Sequence, residues 1–339
     1  MYSPGEMVSL VFVFSLFSRS ITRIKNLFYD RGVFKARRAP LPVISVGNIS
    51  LGGTEKTPLA MELLTRLLGQ GRRPALVSRG YKGRWEKNGG VLSEGRGLLG
   101  NWEDGGDEPF LIARTYPEAG VYVGKDKLGS CRRAAAAGFD VAVLDDGFQH
   151  RRLARNLDIV LFSPAEKIAL REPRSALRRA DVLLIKDGEK AEDAFVKPEN
   201  SRRQIFHYSV VPRGLKDLRS DEDVSPDRLA EKRLLAFCGI ARPARFIEEL
   251  RKLGLEVAAF LPFPDHHSYP PASLDKLAQT CRRAGAEALI TTEKDGLKIA
   301  GRSEELSGIP VYVLRIGLRL EPAFDEILRD FLKRHPATQ

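Results

Sequence analysis

An α/β protein with a mainly parallel sheet and a second, smaller α/β domain is what this 339-residue sequence predicts. Three observations carry the prediction. From residue 40 onward, short β-branched runs alternate with longer amphipathic stretches, the texture of repeated βαβ units. A glycine-rich stretch sits directly between the first such run and the amphipathic stretch after it. The alternation then stops in a charged, proline-containing interval and restarts near residue 234.

In chain order, Pro42 to Val46 (PVISV) reads as the first strand and Thr57 to Leu68 as the helix after it. Pro74 to Ser78 is a second strand and Val121 to Val123 another, with a helix at Ser130 to Ala137. Val141 to Leu144 (VAVL), Ile159 to Phe162 and Val182 to Ile185 are short apolar strands, each ending in polar or loop residues. Asp187 to Asn200 and Asp217 to Pro226 are charged and contain proline, so a domain boundary is expected in this interval and is drawn after residue 210. The second series runs through a strand at Leu234 to Cys238, a helix at Pro243 to Leu253 and a strand at Val257 to Phe260. A helix at Pro271 to Ala284 and a strand at Ala288 to Thr291 follow. The expected organisation is therefore a segment at 1–40, a core domain at 41–210 and a smaller domain at 211–339.

The first forty residues differ in character. Met7 to Phe17 (MVSLVFVFSLF) is an apolar run about half the roughly 20 residues needed to span a bilayer. Glu6 precedes it and Arg19, Arg23 and Lys25 follow, the reverse of a signal peptide's charge order. Leu10, Phe14, Phe17, Ile21, Ile24 and Phe28 recur at helical spacing, with the basic residues elsewhere on the same helix. The pattern suits an amphipathic helix lying on a membrane surface, and the basic run continues through Arg31, Lys35, Arg37 and Arg38. A helix packed on the protein's own core or in a dimer seam has the same pattern.

The formal net charge of +11 points to a polyanionic partner: nucleic acid, an anionic lipid surface or a phosphorylated substrate. No recognised nucleic-acid motif accompanies it, and the basic excess near the N-terminus has a lipid explanation, so no nucleic-acid partner is expected. Cys131, Cys238 and Cys281 are widely spaced and form no CxxC pair, which argues against a disulfide framework or a zinc site.

Chemistry concentrates in Gly47 to Pro58, GNISLGGTEKTP. In a phosphate loop of the form G-x-x-x-x-G-K-[ST], backbone N–H groups wrap the phosphates, the lysine reaches the β and γ oxygens and the hydroxyl binds magnesium. Lys56 and Thr57 fit the last two roles, and the fold class becomes P-loop NTPase-like. Gly52 and Gly53 keep the loop flexible, Asn48 and Ser50 offer hydrogen bonds, and Thr54 is counted with them among the nucleotide-binding candidates. Two positions depart from the pattern: Ser50 stands at its first glycine and Glu55 at its second. Glu55 brings a β-carbon and a negative charge to a place where a polyanion must approach.

Val141 to Gln149 (VAVLDDGFQ) is an apolar strand ending in Asp145 and Asp146, the placement of magnesium-binding carboxylates beside a phosphate loop, although paired aspartates before glycine also form solvated turns. Asp107 and Glu108 in GGDEP precede an apolar helix, where they either cap it or accept a proton from an attacking hydroxyl. FPDHHSY places His266 and His267 in a proline-bracketed loop, with a metal, an acid/base or a purely structural role open. Arg79, Tyr81 and Lys82, the REP at 171–173 and the TTEKD at 291–295 are polar clusters at element ends, suited to phosphate contact or to turn chemistry.

Taken in order, GNISLGGTEKTP, SRGYKG, GGDEP, VLDDGFQHRRL, LREP, AFCGIARPARF, FPDHH and TTEKD resemble the tetraacyldisaccharide 4'-kinase family, the lipid A 4'-kinases, from about residue 5 to the end. The resemblance implies phosphorylation of the 4'-hydroxyl of a tetraacyldisaccharide 1-phosphate, with ATP and Mg2+ as cofactors. It places the enzyme, peripheral or monotopic, at the cytoplasmic face of the bacterial inner membrane, in contact with the anionic membrane surface; a monomer is expected. By the same resemblance Lys56 and Thr57 bind phosphate and magnesium, Asp145 and Asp146 form the metal-binding pair, and Asp107 is the base assisted by His266. Glu108 and Gln149 complete the polar lining, Glu108 toward the metal and Gln149 toward the nucleotide. The family's loop reads GGxGKT where this chain reads GGTEKT. Replacing Glu55 with glycine is therefore expected to raise kcat/KM for ATP, and the alternative function is a membrane-associated nucleotide-binding protein whose catalysis Glu55 impairs.

Overall fold

The computed structural model describes residues 22, 24–50, 55–163, 170–189 and 203–337. Residues 24–30 are helical (α1), whereas Met7 to Phe17, Arg19, Ile21 and Arg23 lie outside the described residues, as do Gly52, Gly53 and Thr54. There follow β1 (Val43–Asn48), α2 (Lys56–Gly69), β2 (Pro74–Ser78), β3 (Gly90–Glu94), α3 (Trp102–Gly105), α4 (Asp107–Thr115) and β4 (Gly120–Val123). α5 (Lys127–Ala136), β5 (Val141–Leu144), β6 (Leu157–Phe162) and β7 (Val182–Lys186) complete the first half. The second half contains β8 (Gln204–Asp217), β9 (Asp223–Val224), α6 (Asp227–Ala230), β10 (Leu234–Cys238), α7 (Pro243–Lys252) and β11 (Val257–Pro262). It ends with α8 (Pro271–Arg283), β12 (Ala288–Thr292), α9 (Glu293–Ile299), β13 (Val311–Leu320) and α10 (Phe324–Arg334).

One sheet runs through the chain in the order β11, β10, β12, β13, β8, β7, β6, β1, β5, β2, β4, β3. The pairs β3–β4, β8–β9 and β8–β13 are antiparallel and the others parallel. Strand β1 is buried along its whole length, as its near-continuous VISV run requires of a central parallel strand. After β1 the chain winds toward β2 and β4, returns to β5, then crosses β1 to reach β6. The carboxyl ends of β1 and β5 thus flank a reversal of strand order, the place where open α/β sheets hold ligands.

Helix α2 presents Leu59, Leu63, Leu64 and Leu67 to β1, all fully buried, each worth about 1.5–3 kcal/mol over exposure. Phe324, Leu328 and Phe331 of α10 join the same core. The last helix therefore packs against the first half of the sheet, and Arg66 of α2 reinforces the contact through Asp325 at 2.7 Å.

The boundary drawn after residue 210 falls inside β8, which pairs with β7 at one end and with β13 over most of its length. Neither β8 nor β13 follows from the sequence reading. β8 (QIFHYSVVPRGLKD) carries proline and glycine and is half exposed, so its side chains do not spell a buried strand. Its backbone is instead held by the β13 ladder.

Candidate active site

The site begins where β1 ends. Asn48 donates through Nδ2 to the Ser50 carbonyl at 3.0 Å, and Gln149 Nε2 donates to the Asn48 carbonyl at 2.7 Å, so the turn after β5 is stitched to the exit of β1. Close packing explains the glycines there. A β-carbon on Gly47 would stand 2.4 Å from Phe148 Cβ, and one on Gly147 2.5 Å from Ser45 Oγ.

α2 starts at Lys56 with Thr57 in its first turn, and Lys56 Nζ lies 3.4 Å from Asp146. Asp146 adopts a left-handed φ of 48° and also accepts from Arg171 of the REP segment at 2.8 Å. Burial alone would raise its pKa, but the charges of Lys56 and Arg171 outweigh it and hold the carboxyl at about 2. Asp145 has the opposite fate. Buried, and facing the charges of Glu108 and Asp146, it is pushed up to about 6. Ser78 at the end of β2 donates to its Oδ2 at 2.9 Å, while buried Oδ1 has no hydrogen-bond partner among the described residues. Lys127, buried at the head of α5, donates to the carbonyls of Asp145 and Asp146 at 2.6 and 3.1 Å and fixes the turn between them.

These carboxylates fit a magnesium ion. An orphaned, buried oxygen on a carboxyl crowded by two others is what a divalent cation would neutralise. Among the described residues no group of three or more His, Cys, Asp or Glu side chains forms a metal cage.

Asp107 opens α4. The N-cap before it, Gly106, has φ 85°, and a β-carbon there would stand 2.8 Å from the Tyr81 carbonyl. A β-carbon on Gly83 would meet the Asp104 carbonyl at 2.5 Å. The SRGYKG and GGDEP segments therefore lie backbone against backbone, which only glycine permits, and the contact sets the position of Asp107.

The second half of the sheet closes on Asp107. His266, in the DHH turn after β11 with φ 63°, places Nδ1 3.0 Å from Asp107 Oδ2. Lys298 of α9 places Nζ 2.6 Å from the same oxygen and donates to the His267 carbonyl at 3.0 Å. No bond to Asp107 Oδ1 is formed among the described residues. Burial would raise the Asp107 pKa, but the His266 hydrogen bond and the Lys298 charge prevail and keep it below its ordinary value. Glu108 accepts from Lys294 Nζ at 2.9 Å, and chiefly that charge lowers its pKa. Asp295 accepts from the Gly239 amide at 2.9 Å and from Thr292 Oγ1 at 2.7 Å, locking the TTEKD turn to the end of β10.

Ion pairs and charge contacts thus gather Lys56, Asp145, Asp146, Asp107, Glu108 and His266, drawn from separate segments of the sequence, into one cluster. Lys298 and Lys127 belong to it without having been singled out in the sequence, whereas Lys294 and Ser78 lay inside the TTEKD and SRGYKG segments without a role of their own. Lys127 did carry a signal, as a cation in the first turn of a helix, where the helix dipole disfavours it.

Residues 7–333 match the family model of tetraacyldisaccharide-1-P 4'-kinases. The tetraacyldisaccharide 4'-kinase of Syntrophus aciditrophicus is 38% identical, the match covering 96% of this chain and 93% of that protein. That of Pelobacter propionicus is 36% identical over 97% of this chain and 94% of its own. A crystal structure of LpxK from Aquifex aeolicus in complex with ATP aligns with a TM-score of 0.75 at 32% identity, over 96% of this chain and 98% of that one.

Proposed function

Because the chain belongs to the tetraacyldisaccharide-1-P 4'-kinase family, we propose that it transfers the γ-phosphoryl group of ATP to the 4'-hydroxyl of a tetraacyldisaccharide 1-phosphate. The observation that carries the mechanism is the grip on Asp107. His266 and Lys298 hold one carboxylate oxygen, and the other is left to accept the proton of an attacking hydroxyl. As the 4'-oxygen bonds to the γ-phosphorus, the bond to the bridging oxygen breaks, ADP departs and the proton rests on Asp107. Lys56 and Thr57, at the positively polarised start of α2, receive the phosphates. Asp145 is the first choice of metal ligand, since Asp146 is occupied by Lys56 and Arg171; Glu108, tied to Lys294, lines the metal side of the cluster. Magnesium, when bound, neutralises charge on the β and γ oxygens.

The nucleotide loop and the base then belong to a working unit at 41–210, and the side chains that orient the base to a unit at 211–339. The alternative of a nucleotide-binding protein without catalysis is not favoured, because the family model and the relatives that match nearly the whole chain are kinases. The test is transfer of labelled γ-phosphate from ATP to purified tetraacyldisaccharide 1-phosphate in detergent micelles. Product labelled at the 4' position is expected, and ATP binding without transfer would remove the reading.

A lipid acceptor requires a seat at the bilayer. Among the described residues no helix is long and apolar enough to cross a membrane. α1 and the turn after it nevertheless expose Ile24, Leu27, Phe28, Val33 and Phe34, with Val33 62% accessible. The opposite side of α1 is anchored on the core, where Asp30 pairs with Arg151 at 2.8 Å and Lys25 donates to the Gln149 carbonyl at 3.2 Å. This apolar patch, beside Lys35, Arg37 and Arg38, supports peripheral attachment at the cytoplasmic face of the inner membrane. Phe28→Asp/Phe34→Asp is expected to weaken binding to anionic vesicles by at least about tenfold, since each phenylalanine buried in lipid contributes about 1.5–3 kcal/mol. Unchanged co-sedimentation would place the membrane contact elsewhere.

A further inference from the structure

The residue that breaks the phosphate-loop pattern has partners of its own. Glu55 occupies the N-cap position of α2 in a left-handed conformation with φ 48°. A side chain at that position commonly caps its helix, but Glu55 forms no such bond. Its carboxylate instead pairs with the guanidinium of Arg245 and accepts from the Tyr208 hydroxyl at 3.3 Å. Arg245 lies in the first turn of α7, the helix that follows β10 in the second half of the sheet. Glu55 is therefore an anion held between the head of α2, where Lys56 begins, and the head of a second helix carrying a cation.

That is the chemistry of a triphosphate seat filled by the protein itself. A carboxylate and a nucleotide phosphate are both oxyanions that an arginine fork grips with two parallel bonds. The two compete for one place, because a triphosphate brought to Lys56 is repelled by Glu55 one residue away. We propose that Arg245 is a nucleotide-phosphate ligand supplied by the second half of the sheet, and that the Glu55 carboxylate holds Arg245 until ATP displaces it. The chain thereby carries its own competitor for the triphosphate. The inference rests on the kinase reading above.

The two partners should respond in opposite directions, which a contact that merely supports the fold would not produce. Binding of a non-hydrolysable ATP analogue with magnesium is measured by calorimetry for the full chain, with adenosine as the phosphate-free control. Glu55→Gln should tighten the analogue by about tenfold, the worth of one charge-assisted hydrogen bond, and Arg245→Gln should weaken it by a similar factor. In the double variant the gain from Glu55→Gln should shrink to the small part due to lost repulsion. Adenosine affinity should hold throughout. If Arg245→Gln does not fold, Arg245→Lys replaces it and should keep part of the gain. Weaker binding in Glu55→Gln, a full tenfold gain persisting without Arg245, or parallel losses for adenosine would each overturn the proposal. Failure of the unaltered chain to bind the analogue at all would instead remove the kinase reading beneath it.

Discussion

Asp107→Asn is expected to lower kcat by about 10²–10⁴, the usual contribution of a positioned proton acceptor, with little change in KM for ATP. The amide keeps the size of the carboxyl but takes up no proton. Because the His266 hydrogen bond and the Lys298 charge keep Asp107 below its ordinary pKa against the effect of burial, the base stays ionised into acid. The Asp107 contribution to activity should therefore hold until pH drops below the ordinary carboxylate range. Removing the cation in Lys298→Met should move this acid limb of kcat/KM to higher pH, whereas a loss of fold would lower the whole profile without shifting it. An Asp107→Asn enzyme that retains full kcat would show that another group takes the proton.

Asp145→Asn should be nearly as damaging, with kcat lower by about 10²–10³ and a higher magnesium requirement. Burial and the neighbouring charges of Glu108 and Asp146 push the Asp145 carboxyl up to about 6, so without metal its ionised form is disfavoured in the fold. The sign for stability follows. The native state holds the Asp145 proton more tightly than the unfolded chain, so stability of the metal-free protein declines as pH rises from about 4 toward about 6. The asparagine, which still accepts from Ser78, should therefore raise the Tm of the metal-free protein at pH values above that window while destroying activity. Magnesium titrations of kcat check the assignment: an unchanged requirement in Asp145→Asn and a raised one in Asp146→Asn would transfer the metal to Asp146.

Most of the parallel strands were legible because a buried strand must be apolar throughout, and VISV, VAVL and VLLI can be little else once turns bound them. β8, β13 and α10 were not. A half-exposed strand with Pro212 and Gly214 carries no such pattern, and only the ladder to β13 makes it one. The β8–β13 pairing in turn carries one sheet through a boundary that composition alone would draw as a break.

At the site, residue type and local context named Lys56, Thr57, Asp145, Asp146, Asp107, Glu108 and His266, because phosphate, magnesium and proton transfer each call for particular groups at strand and helix ends. Lys298 had no such mark, since a lysine inside a helix is ordinary until something stands opposite it, and Lys294 and Ser78 were marked only as members of the TTEKD and SRGYKG segments. The sequence by itself determined which functional groups exist and which ends of which elements they occupy. Only the tertiary structure decided which of two adjacent aspartates is neutralised by Lys56 and which is left crowded and orphaned. It also decided that Glu55, an anomaly in the loop, faces an arginine 190 residues away. Charge energies depend on distance and burial, and both are properties of the packed sheet rather than of the order of residues along the chain.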